Sequence, residues 1–230
     1  MSANRSVQVI AHRGASKAAR ENTVQAFRLA RELGAGWVEL DVRRTQNDAL
    51  AIHHDPYLPD GRVICDTSSD DLPSEVPDLA AALDACAGMG VNIEIKNLPG
   101  ELDFDPDERV ADEVVALVQR RGEVDRILVS SFHLATIDAV RSANPAIATA
   151  WLVEKATSKT LDTLEAHGHR VLHPWVRKLD RSLLDDCHRR GIAVNTWTCD
   201  DPDRMRELIA WGIDGICTNV PDVAVRILST

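Results

Sequence analysis

In the stretch ELDVRR, residues 39–44, two carboxylates, Glu39 and Asp41, stand two apart among the apolar residues Val38, Leu40 and Val42. Side chains alternate faces along a strand, so both acids share one face and the apolar residues take the other. The stretch VNIEIK, residues 91–96, repeats the pattern with Glu94 and Lys96 opposite Ile93 and Ile95. In a closed barrel those two directions are the axis and the helix layer, so the apolar residues pack under helices and three carboxylates and one ammonium converge inside. Burying charge without a partner costs several kcal/mol or shifts the pKa, so something must neutralise them. One solution is an ion-pair network joining Glu94 or Asp41 to Arg43 or Lys96. The other is a hard divalent cation, Mg²⁺, Ca²⁺ or Mn²⁺, which takes carboxylate oxygens and keeps positions open for water and substrate.

Two histidines keep company with these acids. His12 closes IAH at the end of the first apolar run, and His54 lies in IHHDP at the end of another. C-terminal strand ends are where barrel enzymes carry their chemistry. A histidine pair beside a metal suits acid-base work, one neutral to take a proton and one protonated to give it. His53 falls on the face opposite His54 and is read as structural, as are His133, His167, His169 and His188. Phe132, Trp151, Trp175 and Trp197 fall at or within later strands, where aromatic side chains can line a substrate wall. Core packing is the competing role for Trp151 and Trp175, and Trp37 and Trp211 are read as helix-packing residues.

The elements that must position these groups follow from the alternation of short β-branched runs with longer helical patterns. Strands are predicted at residues 7–12, 37–42, 91–96, 126–131, 148–153, 170–175, 193–198 and 214–218, each followed by a helical or mixed segment. The fold class is therefore α/β, a (βα)8 TIM barrel forming a single domain over residues 1–230. Helical patterns at 21–34, 107–122, 180–191 and 201–212 each end in glycine before the next strand. In the first, Val24, Phe27, Leu29 and Leu33 fall near one face. One unit breaks the rhythm: between the second and third barrel strands lie an extra strand ending at His54 and Asp55, an irregular insertion over 56–77 and a returning helix. Insertions of that length are usually functional, and this one is expected near the active site.

Composition bounds the partners. The chain has 230 residues, 44% of them hydrophobic, and a formal net charge of −10. That charge argues against a nucleic-acid surface, since no Lys/Arg cluster offers itself to phosphate backbones. The five cysteines are scattered, without metal-ligand spacing, and read as reduced thiols of a cytoplasmic protein. No signal-peptide core or membrane-spanning stretch is legible.

The motifs AHRGAS, ENT, ELDV, HHDP, EIK, SSF, WT and TNVPD, in this order and spacing, resemble the glycerophosphodiester phosphodiesterase family across nearly the whole chain. The resemblance implies a TIM-barrel enzyme that uses a divalent metal to hydrolyse a glycerophosphodiester to sn-glycerol 3-phosphate and an alcohol. By position, Glu39, Asp41 and Glu94 match the metal-binding acids, and His12 and His54 the acid-base pair. Arg13 and Lys96 match basic residues near the phosphate, Glu21 and Asn22 the "EN" that helps shape the site, and Trp197 a residue of the substrate wall, with Phe132 beside SS. Two departures stand out: Arg20 replaces the usual proline before ENT, and Asn219 follows Thr218 where the family commonly has aspartate. Neither is expected to touch the metal ligands or the histidines. The insertion after His54 is shorter than in many members, which leaves the alcohol open. Competing readings are a lysophospholipase D-type phosphodiesterase, a barrel that binds phosphorylated metabolites without turnover, and a metal-dependent isomerase or aldolase barrel.

Overall fold

The structure, a computed structural model, describes residues 7–229. Its strands are β1 (Gln8–Ala11), β2 (Trp37–Arg44), β3 (Leu50–Ile52), β4 (Gly90–Ile95), β5 (Ile127–Ser131), β6 (Ala148–Val153), β7 (Val171–Pro174), β8 (Ala193–Thr196) and β9 (Gly215–Thr218). The helices are α1 (Val24–Glu32), α2 (Leu79–Ala85), α3 (Arg109–Arg121), α4 (Leu134–Ala143), α5 (Ser158–Ala166), α6 (Arg181–Arg189), α7 (Pro202–Trp211) and α8 (Pro221–Leu228). All strands but β3 run parallel in the order β1-β9-β8-β7-β6-β5-β4-β2, and the β1–β2 pairing closes the ring into a (βα)8 barrel. Strand β3 pairs antiparallel with the C-terminal end of β2, Val42 opposite Ile52 and Arg44 opposite Leu50. It is the extra strand that the sequence predicts before His54.

Alternation decides what each strand buries. Val38, Leu40, Val42, Val91, Ile93, Ile95, Val129, Leu172, Val194 and Ile216 form one core with Phe27, Leu83, Val114, Val118, Leu161, Leu164, Leu184 and Leu208 of the helices. Each such burial contributes about 1.5–3 kcal/mol, so the layer between ring and helices holds the barrel closed. On α1 the seam is narrower than the sequence suggests. Ala26, Phe27 and Ala30 are buried, whereas Val24, Leu29 and Leu33 pack at its margins. Small residues let the helix approach the β1–α1 loop closely: at Gly14, φ 84°, an added Cβ would meet Ala26 at 2.7 Å.

Sequence chemistry sets the helix ends. Thr23 and Asp201 cap α1 and α7 through their side chains, and α7 starts on Pro202, whose missing N–H costs nothing there. Gly122 and Gly212 terminate α3 and α7 in the left-handed conformation. Helices α4, α5 and α8 occupy segments that the sequence marks only as helical or mixed. After β3 the chain makes two 3-10 turns, Ile64–Asp66 and Ser69–Asp71. A small satellite core of Ala51, Leu58 and Ile64, with Leu72 and Val76 against it, anchors this segment to β3. Among the described residues no helix is long and apolar enough to cross a membrane.

Candidate active site

Strand register assembles the centre. Asp41 on β2 stands opposite Glu94 on β4, Glu39 opposite Asn92, and Ala11 on β1 opposite Val38, so His12 leaves β1 beside Glu39. One carboxylate oxygen from each of Glu39, Asp41 and Glu94 lies within 4.8 Å of the others. The three residues are 3%, 1% and 8% exposed, a degree of burial that acids tolerate only when neutralised.

Two cations flank them. Arg13 donates its backbone N–H to Glu39 Oε2 at 2.8 Å, and its Nε lies 3.2 Å from Asp41 Oδ2. Lys96 Nζ donates to Glu94 Oε1 at 2.9 Å and lies 3.7 Å from Asp41 Oδ1, an ion-pair distance too long for a hydrogen bond. Asn22 is buried behind Asp41, its Nδ2 donating to Oδ2 at 2.8 Å. Glu21, half exposed, accepts from Arg13 Nη1 at 2.9 Å and so holds the guanidinium rather than entering the centre.

Three carboxylates against two cations leave the centre short of positive charge. Burial, reinforced by Asp41 and Glu94, raises the Glu39 carboxyl well above its usual 4.5. Burial also raises Glu94, against the pull of Lys96. Burial alone would raise Asp41 too, but the Lys96 and Arg13 charges outweigh it and hold this carboxyl low. Glu39 Oε1 and Asp41 Oδ1 are buried and accept no hydrogen bond. Two orphaned oxygens within a cluster of three acids fit a hard divalent cation, whose preferred donors are carboxylate oxygens. Of the two arrangements legible in the sequence, the ion-pair network forms in part, through Lys96. Arg43 takes no share in it: its guanidinium, 1% exposed, donates to Glu101 and Asp103 in the loop after β4 and through Nε to the His54 carbonyl at 2.8 Å.

The His12 ring faces this centre, and His54 lies within reach of the Asp41 charge. His12 Nε2 lies 4.0 Å from Glu39 Oε2, and its Nδ1 is 2.7 Å from Asn219 Oδ1. His54 Nδ1 is 2.7 Å from the Asp55 carboxylate. Desolvation lowers both pKa values from 6.5; the Arg13 charge adds to this at His12, and Asp41 opposes it at His54. Asn219 corrects the expectation that the departure after Thr218 leaves the histidines untouched. It sits at the end of β9, and the β1–β9 pairing, Ala11 opposite Thr218, brings it against His12. A separation of 207 positions along the chain hid the contact. The other departure, Arg20, pairs with Glu75 at 3.1 Å at the outer edge of the cleft.

The aromatic wall takes shape across the mouth. Phe132 and Trp197 meet edge to face with centroids 5.3 Å apart, and Trp197 Nε1 donates to the His173 carbonyl at 2.8 Å. Trp151 Nε1 donates to the Phe132 carbonyl at 3.1 Å, which fixes that residue from behind. Below the acids, His12, Glu39, Asn92, Glu94, His173 and Asn195 help to line a hole of about 20 Å³, room for about one water. On the side of His54, a cleft of about 510 Å³ opens between Arg20–Thr23 and the segment from Pro56 to Val76. His53 borders this cleft, bonded through Nδ1 to the Asp55 carbonyl. His133 pairs with Glu108, His167 and His169 share Asp138, and His188 meets Asp214, all away from the carboxylate centre.

A closed (βα)8 barrel with acids, bases and cations gathered at its C-terminal strand ends has the architecture of a barrel enzyme. The sequence model of the glycerophosphoryl diester phosphodiesterase family matches residues 12–223, and the chain belongs to that family. It is accordingly an enzyme, a phosphoric diester hydrolase. A glycerophosphodiester phosphodiesterase of Caldanaerobacter subterraneus is 26% identical over 235 residues, covering 96% of this chain and 97% of the relative. A phosphodiesterase of Oleispira antarctica, solved in complex with the product sn-glycerol-3-phosphate, superposes with a TM-score of 0.90 at 27% identity, covering 97% of each chain. A glycerophosphodiester phosphodiesterase of Parabacteroides distasonis superposes with a TM-score of 0.86 at 25% identity, covering 99% of this chain and 98% of its own.

Proposed function

We propose that this chain hydrolyses glycerophosphodiesters to sn-glycerol 3-phosphate and an alcohol, with a divalent cation held by Glu39, Asp41 and Glu94. The observation that carries this reading is the pair of orphaned oxygens, Glu39 Oε1 and Asp41 Oδ1, among three buried carboxylates. The product complex of the Oleispira relative supports the choice of product. A bound Mg²⁺, Ca²⁺ or Mn²⁺ supplies Lewis-acid charge relief at the phosphoryl oxygens.

The chain's own residues do the rest. Arg13 and Lys96 take up phosphate charge, Arg13 through its planar fork and Lys96 as a point charge. His12 is the base: Nε2 points toward the carboxylate centre, and a neutral amide backs its other nitrogen. His54 is the acid, because the Asp55 carboxylate behind Nδ1 favours the protonated ring that must hand a proton to the departing alkoxide. Asn22 steadies Asp41, Glu21 steadies Arg13, and Phe132 with Trp197 walls the glycerol side. The whole chain works as one domain, and the insertion over 56–77 bounds the approach taken by the alcohol.

The test is release of glycerol 3-phosphate from glycerophosphocholine by metal-stripped protein, before and after adding Mg²⁺, Ca²⁺ or Mn²⁺, with Glu39→Ala beside it. Restoration by a metal that Glu39→Ala abolishes is the expected result. Silence with every metal, together with turnover of a lysophospholipid, would replace this substrate class with the lysophospholipase D-type one. Silence on both would favour binding without turnover.

A further inference from the structure

The two imidazoles at the mouth are backed by different chemistry. Asp55, a carboxylate, stands behind His54, whereas the amide of Asn219 stands behind His12. An amide can present either end to an imidazole nitrogen, so its orientation decides which ring nitrogen carries the proton.

That orientation is set by Asp200 in the loop between β8 and α7. Its Oδ2 accepts from Asn219 Nδ2 at 2.7 Å, while Oδ1 accepts from the Asn219 backbone N–H at 2.8 Å and from Thr218 Oγ1 at 2.9 Å. A carboxylate has only acceptors to offer, so the NH₂ end of the amide must face Asp200 and the oxygen must face His12. Ser16 Oγ donates to the same Asn219 Oδ1 at 2.8 Å, which agrees with that assignment. At 2.7 Å from an oxygen that can only accept, His12 Nδ1 must be the donor. Glu39 does not contend for the proton, since 4.0 Å from Oε2 to Nε2 exceeds hydrogen-bond reach.

We propose that Asp200 and Asn219 act as a positioning pair: Asp200 fixes the amide, and the amide oxygen holds the proton of neutral His12 on Nδ1, leaving Nε2 bare toward the carboxylate centre. The inference rests on the reading of His12 as the base and deepens it. When Nε2 takes a proton, the Nδ1–H···O bond persists, so ring and partner need no rearrangement. Thr218 ends β9, Asn219 follows it, and Asp200 lies in the loop after β8, so the device is clamped between neighbouring strands of the barrel.

Long-range ¹H–¹⁵N correlation spectra of the metal-free protein, with His12→Gln identifying the His12 signals, read the tautomer directly. Expected is a protonated Nδ1 and a bare Nε2 in the unmodified chain. Asn219→Leu should shift His12 toward the Nε2–H form and lower kcat roughly 10- to 100-fold with KM unchanged, the scale for losing the partner that orients a histidine. Asp200→Asn frees the amide to turn over and should give a mixture of tautomers, which keeps the test alive should Asn219→Leu fail to fold. An Nε2–H tautomer in the unmodified chain, or a tautomer indifferent to both substitutions, overturns the proposal. Full activity in His12→Ala is a different failure: it removes His12 as base and leaves the tautomer result standing.

Discussion

Asn22 holds Asp41 from two sides, its Nδ2 donating to Oδ2 at 2.8 Å while its Oδ1 accepts from the Asp41 backbone N–H at 3.3 Å. The residue is buried with φ at 56°, the left-handed region where asparagine is among the few side chains tolerated. Asn22→Gly keeps that backbone accessible and removes both bonds, so it isolates the support given to the carboxylate. Divalent-cation affinity should fall roughly 10- to 100-fold. Calorimetric titration with Mn²⁺ measures it, and an unchanged affinity would show that Asp41 needs no such support.

Glu39 makes the metal-free protein sensitive to pH. Burial raises its folded-state pKa well above the 4.5 of the unfolded chain, so the contribution to stability is complete below pH 4.5 and is lost as pH rises toward the folded value. Glu39→Gln removes the ionisation while nearly keeping the shape. In EDTA, the unmodified chain should lose stability relative to Glu39→Gln between pH 5 and pH 8. Urea midpoints for both proteins give the comparison, in which titrating groups remote from the carboxylate centre cancel. Adding a divalent cation at about 100 times its Kd should restore about 2.7 kcal/mol to the unmodified chain alone. A pH-independent difference between the two proteins would contradict the assignment.

The barrel and its acids were legible because one rule serves both. Alternation along β2 and β4 sends Leu40 and Ile93 outward and Asp41 and Glu94 inward, and register makes the last two neighbours. Helix faces were less legible, because close approach can select small residues such as Ala26 and Ala30 that carry little hydrophobic signal. Among long-range polar partners, Lys96 for Asp41 was legible and those held by loops were not. Arg43 shares the parity of Glu39 and Asp41, which suggested pairing with the acids; only the path of the loop after β4 reveals Glu101 and Asp103 as its partners. Asn219 meets His12 only because the last strand closes on the first.

His173 is a buried polar residue that the chemistry does not use. It lies on the barrel axis with Asn195 Nδ2 at 3.1 Å from its Nε2, and desolvation lowers its pKa to about 3. The unfolded chain therefore binds a proton that the folded chain refuses between pH 6.5 and about 3, so the contribution is complete above 6.5 and is lost as pH falls. At about 1.4 kcal/mol per unit this amounts to roughly 4–5 kcal/mol across the window. His173→Gln should flatten the decline of the denaturant midpoint between pH 7 and pH 4. An equal decline in both proteins would place the acid sensitivity elsewhere.

Arg43 links the loop after β4 to His54, the proposed acid. Its Nε donates to the His54 carbonyl at 2.8 Å, and its Nη1 to Glu101 at 2.9 Å and to Asp103 at 2.5 Å. Arg43→Met leaves the buried Asp103 without its cation and should cost about 3–5 kcal/mol of stability, the usual penalty for breaking one side of a buried pair. Arg43→Lys keeps a charge but not the fork, so it cannot serve the carbonyl and both acids from the same positions. Here stability should fall less, while kcat falls by up to about 10²-fold, since a shift of about 1 Å in a catalytic group has that scale of effect. KM should hardly change, because the proposed phosphate-binding residues Arg13 and Lys96 are untouched. Urea denaturation and steady-state kinetics on the two variants separate these roles. A loss confined to stability in both would make Arg43 a fastening for the loop, with no part in placing His54.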